Sequence, residues 1–347
     1  MHNLELKFKK SELKDIWIML SQSCDHRCRN CFESTEKGID KNPNNLSDEQ
    51  ILNVINRAIE LGINEVGIPG AGEPFHPANI KTLFKILDNN SQKGIHTTIF
   101  THLGFFDEEL VKKLNIYRYK LTLLVKLNSF KPEVQDWFDN IEGYTKKRQE
   151  ILDILFKYHF NDGKRLGFVT SIMTVNYKEI LEIFKFCRKN NIISDIDNIL
   201  PIGRGENSPF NPSDKELKEM YTILSEVDKK DFGKSWQPTC SYVGEHSCNR
   251  YCHHLFITKT GDVHPCIGSP QIFLGNVKNK DLKEMWDSPE MKIIRARNYD
   301  GKCKKCKLFI DKKCNSCLGR YTEQLNNKNL LKTRKVHTTG CWGFRKK

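Results

Sequence analysis

The stretch Cys24-Asp25-His26-Arg27-Cys28-Arg29-Asn30-Cys31 constrains this chain more than any other part of it. Three thiols at C-x3-C-x2-C spacing on a short loop can each hold one iron of a cubane cluster, which leaves a fourth iron without a protein ligand and open to chemistry. The competing reading is a zinc knuckle. Structural zinc takes four ligands in closed tetrahedral geometry, and His26 sits between the cysteines on a loop too short to serve easily as the fourth.

Cysteine usage elsewhere points to metal as well. The 347 residues contain 13 cysteines, an odd count, and most fall in close C-x2-C or C-x3-C pairs. The segment from Met1 to Lys14 lacks the continuous apolar run of a signal peptide, so disulfides are not expected and a cytoplasmic location is. No apolar run approaches membrane-spanning length, which argues against a membrane partner. The formal net charge of +13 invites a nucleic-acid reading, but the lysines often stand beside acids, as in Lys215-Glu216-Leu217-Lys218-Glu219, the pattern of a solvated helix face. Basicity of this kind speaks only to non-specific association.

Hydrophobic periodicity predicts an alternating α/β architecture. Asp15 to Gln22 reads as a buried strand that delivers the three-cysteine loop. Ser47 and Gln50 form a capping box ahead of Ile51, Val54, Ile55, Ala58 and Ile59 at helical spacing, and Gly62 stops that helix. A strand from Glu65 to Ile68 runs into Pro69-Gly70-Ala71-Gly72-Glu73-Pro74, followed by a helix from Ile80 to Leu87. Strands at Thr97 to Phe100, Lys120 to Leu127, Leu166 to Met173 and Ile196 to Ile202 continue the pattern. Between them lie helices at Glu108 to Leu114, about Thr145 to Phe160, and Lys178 to Lys189. Six strand-then-helix units imply a parallel sheet wrapped by helices, with chemistry at the strand C-termini: a partial (β/α)6 barrel rather than a closed eight-fold one.

After a helix from Asp214 to Val227 the alternation ends, and nine of the thirteen cysteines lie from Gln237 onward. The expected domains are a partial barrel with a bridging helix over residues 1–235 and a small cysteine-rich domain over 236–347. The tail has few core-forming repeats, so metal is expected to supply its folding free energy.

Cys24, Cys28 and Cys31 after a first barrel strand, with a glycine-rich turn bearing Glu73-Pro74 after the second, resemble the radical S-adenosylmethionine (SAM) superfamily over about residues 15–205. The resemblance implies a [4Fe-4S] cluster on the three cysteines and SAM chelating the open iron. It also implies one-electron cleavage of SAM to a 5′-deoxyadenosyl radical that takes a hydrogen atom from substrate, hard chemistry supplied by the cofactors. By resemblance, Ala71, Gly72, Glu73 and Pro74 stand where the family has GGEP, with Ala71 replacing its first glycine, and meet the methionine amino group. Asn128 and Ser129 stand where ribose or carboxylate is contacted. Arg204 closes the sixth strand, as a cofactor contact or as a surface turn arginine. Phe32 takes the adenine-side role of the aromatic that many members carry where this chain has Asn30.

The tail from Cys252 through Gly261 and Cys266 to Leu282-Lys283-Glu284-Met285-Trp286 resembles a SPASM domain. That resemblance implies one auxiliary [4Fe-4S] cluster on Cys248, Cys252, Cys266 and Cys317 and a second on Cys303, Cys306, Cys314 and Cys341, three clusters in all. The loop between Cys306 and Cys314 is longer than in the usual pattern. Zinc ribbons are the alternative for paired cysteines. Of the two spare thiols, Cys187 reads as buried and inert. Cys240 reads as a hydrogen-atom donor to a substrate radical, or as a ligand in place of Cys248.

Modification of a peptide or protein by epimerisation, crosslinking or oxidation is therefore the first reading of function. Dehydrogenation or epimerisation of a carbohydrate or other small molecule is the second, and a zinc-containing nucleic-acid-binding protein the third. About 23 residues precede Cys24, which leaves no room for an N-terminal peptide-binding module and favours a small substrate, a short peptide or a separate recognition protein. The enzyme readings require an external one-electron donor such as flavodoxin or ferredoxin.

Overall fold

The computed structural model describes residues 12–206, 208–239, 242–243, 246–297 and 305–314. Six strands, β1 (Asp15–Ile18), β2 (Glu65–Ile68), β3 (His96–Thr101), β4 (Leu121–Lys126), β5 (Leu166–Ile172) and β6 (Ile193–Asn198), pair in parallel and in chain order. Helices α1 (Asp48–Glu60), α2 (Ile80–Gln92), α3 (Glu108–Leu114), α4 (Pro132–Asp139), α5 (Tyr144–Lys157) and α6 (Ile180–Lys189) cross between them. This is the partial parallel barrel that the alternation predicts.

The helices form where the sequence stores both a cap and an apolar stripe. Ser47 accepts the amide of Gln50 while the Gln50 side chain accepts the amide of Ser47, and Ile51, Val54, Ile55 and Ala58 face inward from α1. They pack on Ile16, Ile18, Val66 and Ile68 of the sheet, together with Leu83, Ile86 and Leu87 of α2. Strand alternation then separates two jobs. Leu121, Leu123 and Val125 of β4 join this core, whereas Leu124 and Lys126 face a cavity enclosed by the curved sheet.

Two strand boundaries differ most from the sequence expectation, while helix α2 and the later helix Asp214–Phe232 each run about five residues further than expected. The first strand ends at Ile18 rather than Gln22, although Met19 and Leu20 stay buried. The sixth lies at Ile193–Asn198 rather than Ile196 to Ile202. The apolar run Ile199-Leu200-Pro201-Ile202 imitates a buried strand, but the real strand is the alternating segment ahead of it, whose Asp195 and Asp197 face the cavity instead of solvent.

After α7 (Asp214–Phe232) the chain forms a short ladder, β7 (Tyr242–Val243) with β8 (His246–Ser247), and then returns to the main sheet. There β9 (His254–Ile257) pairs in parallel with β1, followed by antiparallel β10 (Asp262–His264) and β11 (Gly275–Asn276). Helices α8 (Leu282–Trp286), α9 (Pro289–Arg295) and α10 (Lys307–Ile310) complete the described part. The tail is richer in core than its composition implied. Leu255, Ile257, Val263, Met285, Trp286, Met291 and Ile294 belong to the same hydrophobic cluster as the barrel. Burying a side chain of this size contributes about 1.5–3 kcal/mol, so metal is not the sole source of its folding free energy. Among the described residues no helix is long and apolar enough to cross a membrane.

The joint between barrel and tail carries a buried charge. His253 Nδ1 lies 2.6 Å from one Asp15 oxygen, and His254 Nδ1 bonds the other. Burial raises the Asp15 carboxyl, but the charges and hydrogen bonds of His254 and His253 outweigh it and hold the group well below the ordinary carboxylate range. The unfolded chain therefore takes up a proton near pH ~4 that folded Asp15 refuses, so this stabilisation is present above that pH and lost as the pH falls. Urea unfolding between pH ~5 and ~3 is expected to show a steeper loss of stability in the wild type than in Asp15→Asn. Parallel pH profiles would contradict the role assigned to this joint.

Candidate active site

The loop after β1 closes on itself through two backbone hydrogen bonds between Cys24 and Gly38, of 3.0 and 2.7 Å. It places Cys24, Cys28 and Cys31 on the wall of a cavity of ≈ 270 Å³ at the C-terminal ends of the barrel strands. That volume is near the lower end of small-molecule sites, about 300 Å³. Backbone amides point at two of the sulfurs: His26 N donates to Cys24 Sγ and Thr35 N to Cys31 Sγ, both at 3.4 Å. Three thiols on one wall, with amide donors aimed at sulfur, fit an iron–sulfur cluster, because such donors stabilise anionic sulfur. The third, Cys28, donates to Asp139 at 3.3 Å, and burial raises both its thiol and the Asp139 carboxyl.

Histidines hold the loop from one side. His102, just beyond β3, accepts from Gly104 N at Nδ1, so its Nε2 carries the proton. That nitrogen lies 3.0 Å from Asp25 and 3.2 Å from Glu73, and the ring stacks on His26 at 3.7 Å. Burial pushes His26 down to about 2, which keeps that ring neutral. Glu73, 1% exposed, also accepts from Thr101 Oγ1, Phe75 N and His102 N. One imidazole thus ties together the loops that follow the first three strands.

The sixth strand holds the loop from the other side. Gly203 has φ +57°, and a Cβ there would lie 2.2 Å from Phe32 O, so only glycine lets the two backbones meet. Next to it, Arg204 N donates to Cys31 O. The Arg204 guanidinium donates to Cys28 O at 2.8 Å and to Thr35 O at 2.6 Å, and pairs with Glu36 at 3.1 Å.

Of the residues expected from sequence, Gly72, Glu73, Phe32 and Arg204 line the cavity together with the three cysteines. Ala71 is buried behind it against Trp17 and Met19, and Pro74 does not line it. Gly72, at φ +88°, is required where its backbone passes Gln22: a Cβ would sit 2.8 Å from that main chain. Asn128 and Ser129 lie beneath the cavity wall. Their amides donate to Gln135, and Ser129 Oγ donates to Glu179. Residues that the sequence reading missed are His102, Lys126, Asp195, Asp197, Trp17 and Arg250, all cavity-lining. A lysine ending the otherwise apolar run of β4 was the available signal for Lys126.

Cys248 and Cys266 line the same cavity, from the tail side. Ser269 Oγ donates to Cys266 Sγ at 3.5 Å, and burial raises both thiols. Cys252 packs against the core, near Arg297 and Arg295. Cys306 and Cys314 flank the single turn of α10, where Arg297 donates to Cys314 O. Cys240, Cys303, Cys317 and Cys341 lie outside the described residues. Cys187 is fully buried on α6, with its thiol pushed up to about 12 by burial, as an inert core cysteine should be.

A sequence profile of the radical SAM superfamily matches residues 18–207, and one of the SPASM iron-sulfur cluster-binding domain matches 248–307. The chain is 23% identical over 319 residues to the antilisterial bacteriocin subtilosin biosynthesis protein AlbA of Bacillus subtilis, covering 89% of this chain and 67% of that protein. It is 24% identical over 281 residues to the GTP 3′,8-cyclase of Nautilia profundicola, covering 75% and 82% of the two. Among solved structures, SuiB of Streptococcus suis bound to S-adenosylmethionine superposes with a TM-score of 0.67 at 19% identity, over 92% of this chain and 75% of that one. SuiB bound to the precursor peptide SuiA gives the same TM-score at 21% identity, covering 92% and 74%.

Arg204 is placed here as a clasp on the cysteine loop. Arg204→Met is expected to lower unfolding free energy by about 1–3 kcal/mol, because buried carbonyls lose their donors, and to speed loss of iron to a chelator. A variant of unchanged stability with weakened SAM binding would instead make Arg204 a cofactor contact.

Proposed function

Because this chain belongs to the radical SAM superfamily and carries a SPASM domain, we propose that it is an enzyme that modifies a peptide or protein by epimerisation, crosslinking or oxidation. The observation that carries the reading is that the Cys24, Cys28 and Cys31 loop and the tail cysteines Cys248 and Cys266 open onto one cavity. A cluster on the first trio with SAM supplies one-electron carbon–sulfur cleavage and hydrogen-atom abstraction. Two auxiliary clusters, on the tail cysteines assigned above, make three [4Fe-4S] centres. An external one-electron carrier such as flavodoxin or ferredoxin feeds them.

The remaining work belongs to side chains. Gly70, Gly72 and the His102-braced Glu73 receive the methionine end of SAM. Lys126 and Ser171, on the inner faces of β4 and β5, offer its carboxylate a cation and a hydroxyl. Phe32 and Phe100 lie on the adenine side. Trp17, Leu124, Val169 and Ile199 give the cavity apolar walls, which keep water from a reactive intermediate.

The comparisons favour a peptide: AlbA is a bacteriocin biosynthesis protein and the fold neighbour SuiB binds a precursor peptide. The GTP 3′,8-cyclases among the relatives make cyclisation of GTP the second reading.

The anaerobically reconstituted protein is expected to be brown, with about twelve irons per chain. Cys24→Ala, Cys28→Ala and Cys31→Ala are each expected to lose about four irons and all formation of 5′-deoxyadenosine; retained cleavage in any of them contradicts the assignment. Mass spectrometry after incubation in deuterated water with candidate precursor peptides is expected to show solvent label at one carbon for epimerisation, or loss of hydrogen for oxidation. Unaltered peptides alongside consumption of GTP would replace this reading with the second.

A further inference from the structure

We propose that Arg250 anchors a carboxylate of the peptide substrate, holding an acidic residue of that peptide in the cavity between the three-cysteine loop and Cys248 and Cys266. The inference rests on the peptide reading above. The Arg250 guanidinium lies over the Trp17 ring, 3.8 Å from its centroid, and faces the cavity. The barrel builds that platform. Trp17 is in register with Gly67 of β2, where a Cβ would lie 2.2 Å from the indole, so the ring rests across a position without a side chain. Phe100 of β3 supports the ring at 5.0 Å.

Stacking fixes the plane of a guanidinium while leaving its edge donors available, the geometry that binds a carboxylate through two parallel hydrogen bonds. Among the described residues, no carboxylate lies within ion-pair distance of Arg250 and its guanidinium makes no hydrogen bond. The other cavity cations are placed differently. Arg204 is consumed by Cys28 O, Thr35 O and Glu36. Lys126 lies over Phe138 beside Cys28 and Asp139, where the methionine carboxylate is expected.

Among the described residues, Arg250 is therefore the cavity cation left for substrate. The neighbouring Cys248 and Cys266 feel its charge, but among the described residues neither sulfur accepts a hydrogen bond from its guanidinium. A carboxylate is the peptide side-chain group that matches this planar fork of donors.

The test is isothermal titration of the anaerobically reconstituted enzyme, with SAM present, using a capped tripeptide with a central glutamate and its glutamine counterpart. Wild type is expected to bind the glutamate peptide about 10- to 100-fold more tightly, as a charge-assisted bidentate pair provides. The ratio should fall to about one in Arg250→Gln. Trp17→Leu, which removes the platform and keeps the cation, should reduce it with iron content unchanged. Equal affinity for the two peptides in wild type, no binding of either, or a preference that survives Arg250→Gln overturns the proposal. So does an Arg250→Gln protein that loses iron while keeping the preference, which would assign the residue to the thiols, and so does GTP binding that alone depends on Arg250. Wild type that forms 5′-deoxyadenosine yet ignores glutamate sinks this inference alone; wild type that forms none under dithionite sinks the functional reading beneath it.

Discussion

The position of the three-cysteine loop depends on being gripped from both sides of the barrel mouth. His102 sits between Asp25 and Glu73 and stacks on His26, which joins the loops after β1, β2 and β3. From the far edge, Gly203 packs on the backbone of Phe32 and Arg204 clasps the carbonyls of Cys28 and Thr35. The Glu73–His102 pair is buried and the Arg204 contacts are charge-assisted, so losing one of those partners strands the other at a cost of about 1–3 kcal/mol. A loop of this length without such partners would sample many conformations. Fixed at both ends, it presents its thiols to one cavity, which is the condition for a metal centre with an accessible iron.

The same sheet that supports the loop also places the tail. β9 adds to β1 in parallel, so Cys248 and Cys266 approach the cavity on a continuation of the barrel's own hydrogen-bonded edge rather than on a free linker. Lys259, just after β9, pins Asp40 and Gln22 on either side of the cysteine loop, both at 2.8 Å. The spacing between the two groups of cysteines is therefore set by strand register and a shared core. A substrate held between them meets walls contributed by both halves of the chain.

The sequence made the architecture legible wherever one physical rule acted alone. Parallel strands buried on both faces read as short apolar runs, and α1 announced itself through Ser47, Gln50 and its stripe. The cysteine trio was readable because ligand spacing carries its own chemistry. What stayed hidden depends on neighbours distant in sequence. Asp195 and Asp197 look like solvent residues until the curvature of the sheet turns them inward. Trp17 lies flat only because Gly67 is opposite in register, and Arg250 matters only because Trp17 lies flat. Asn128 and Ser129, read as ligand contacts from their place at a strand end, brace the wall through Gln135 and Glu179. Arg204, open to two readings in sequence, meets the cysteine loop through Cys28 O, Thr35 O and Glu36, partners that no local pattern shows.

The most direct test of the central claim, an iron on this loop that the protein leaves free for a ligand, is electron–nuclear double resonance of the reduced enzyme with S-adenosylmethionine labelled with nitrogen-15 at its amino group and oxygen-17 at its carboxylate. The account predicts hyperfine coupling from both labels to the reduced cluster, lost when Cys24, Cys28 or Cys31 is replaced. A reduced cluster whose spectrum shows no coupling to either label would mean that its irons are saturated by protein atoms, and would contradict the account at its base.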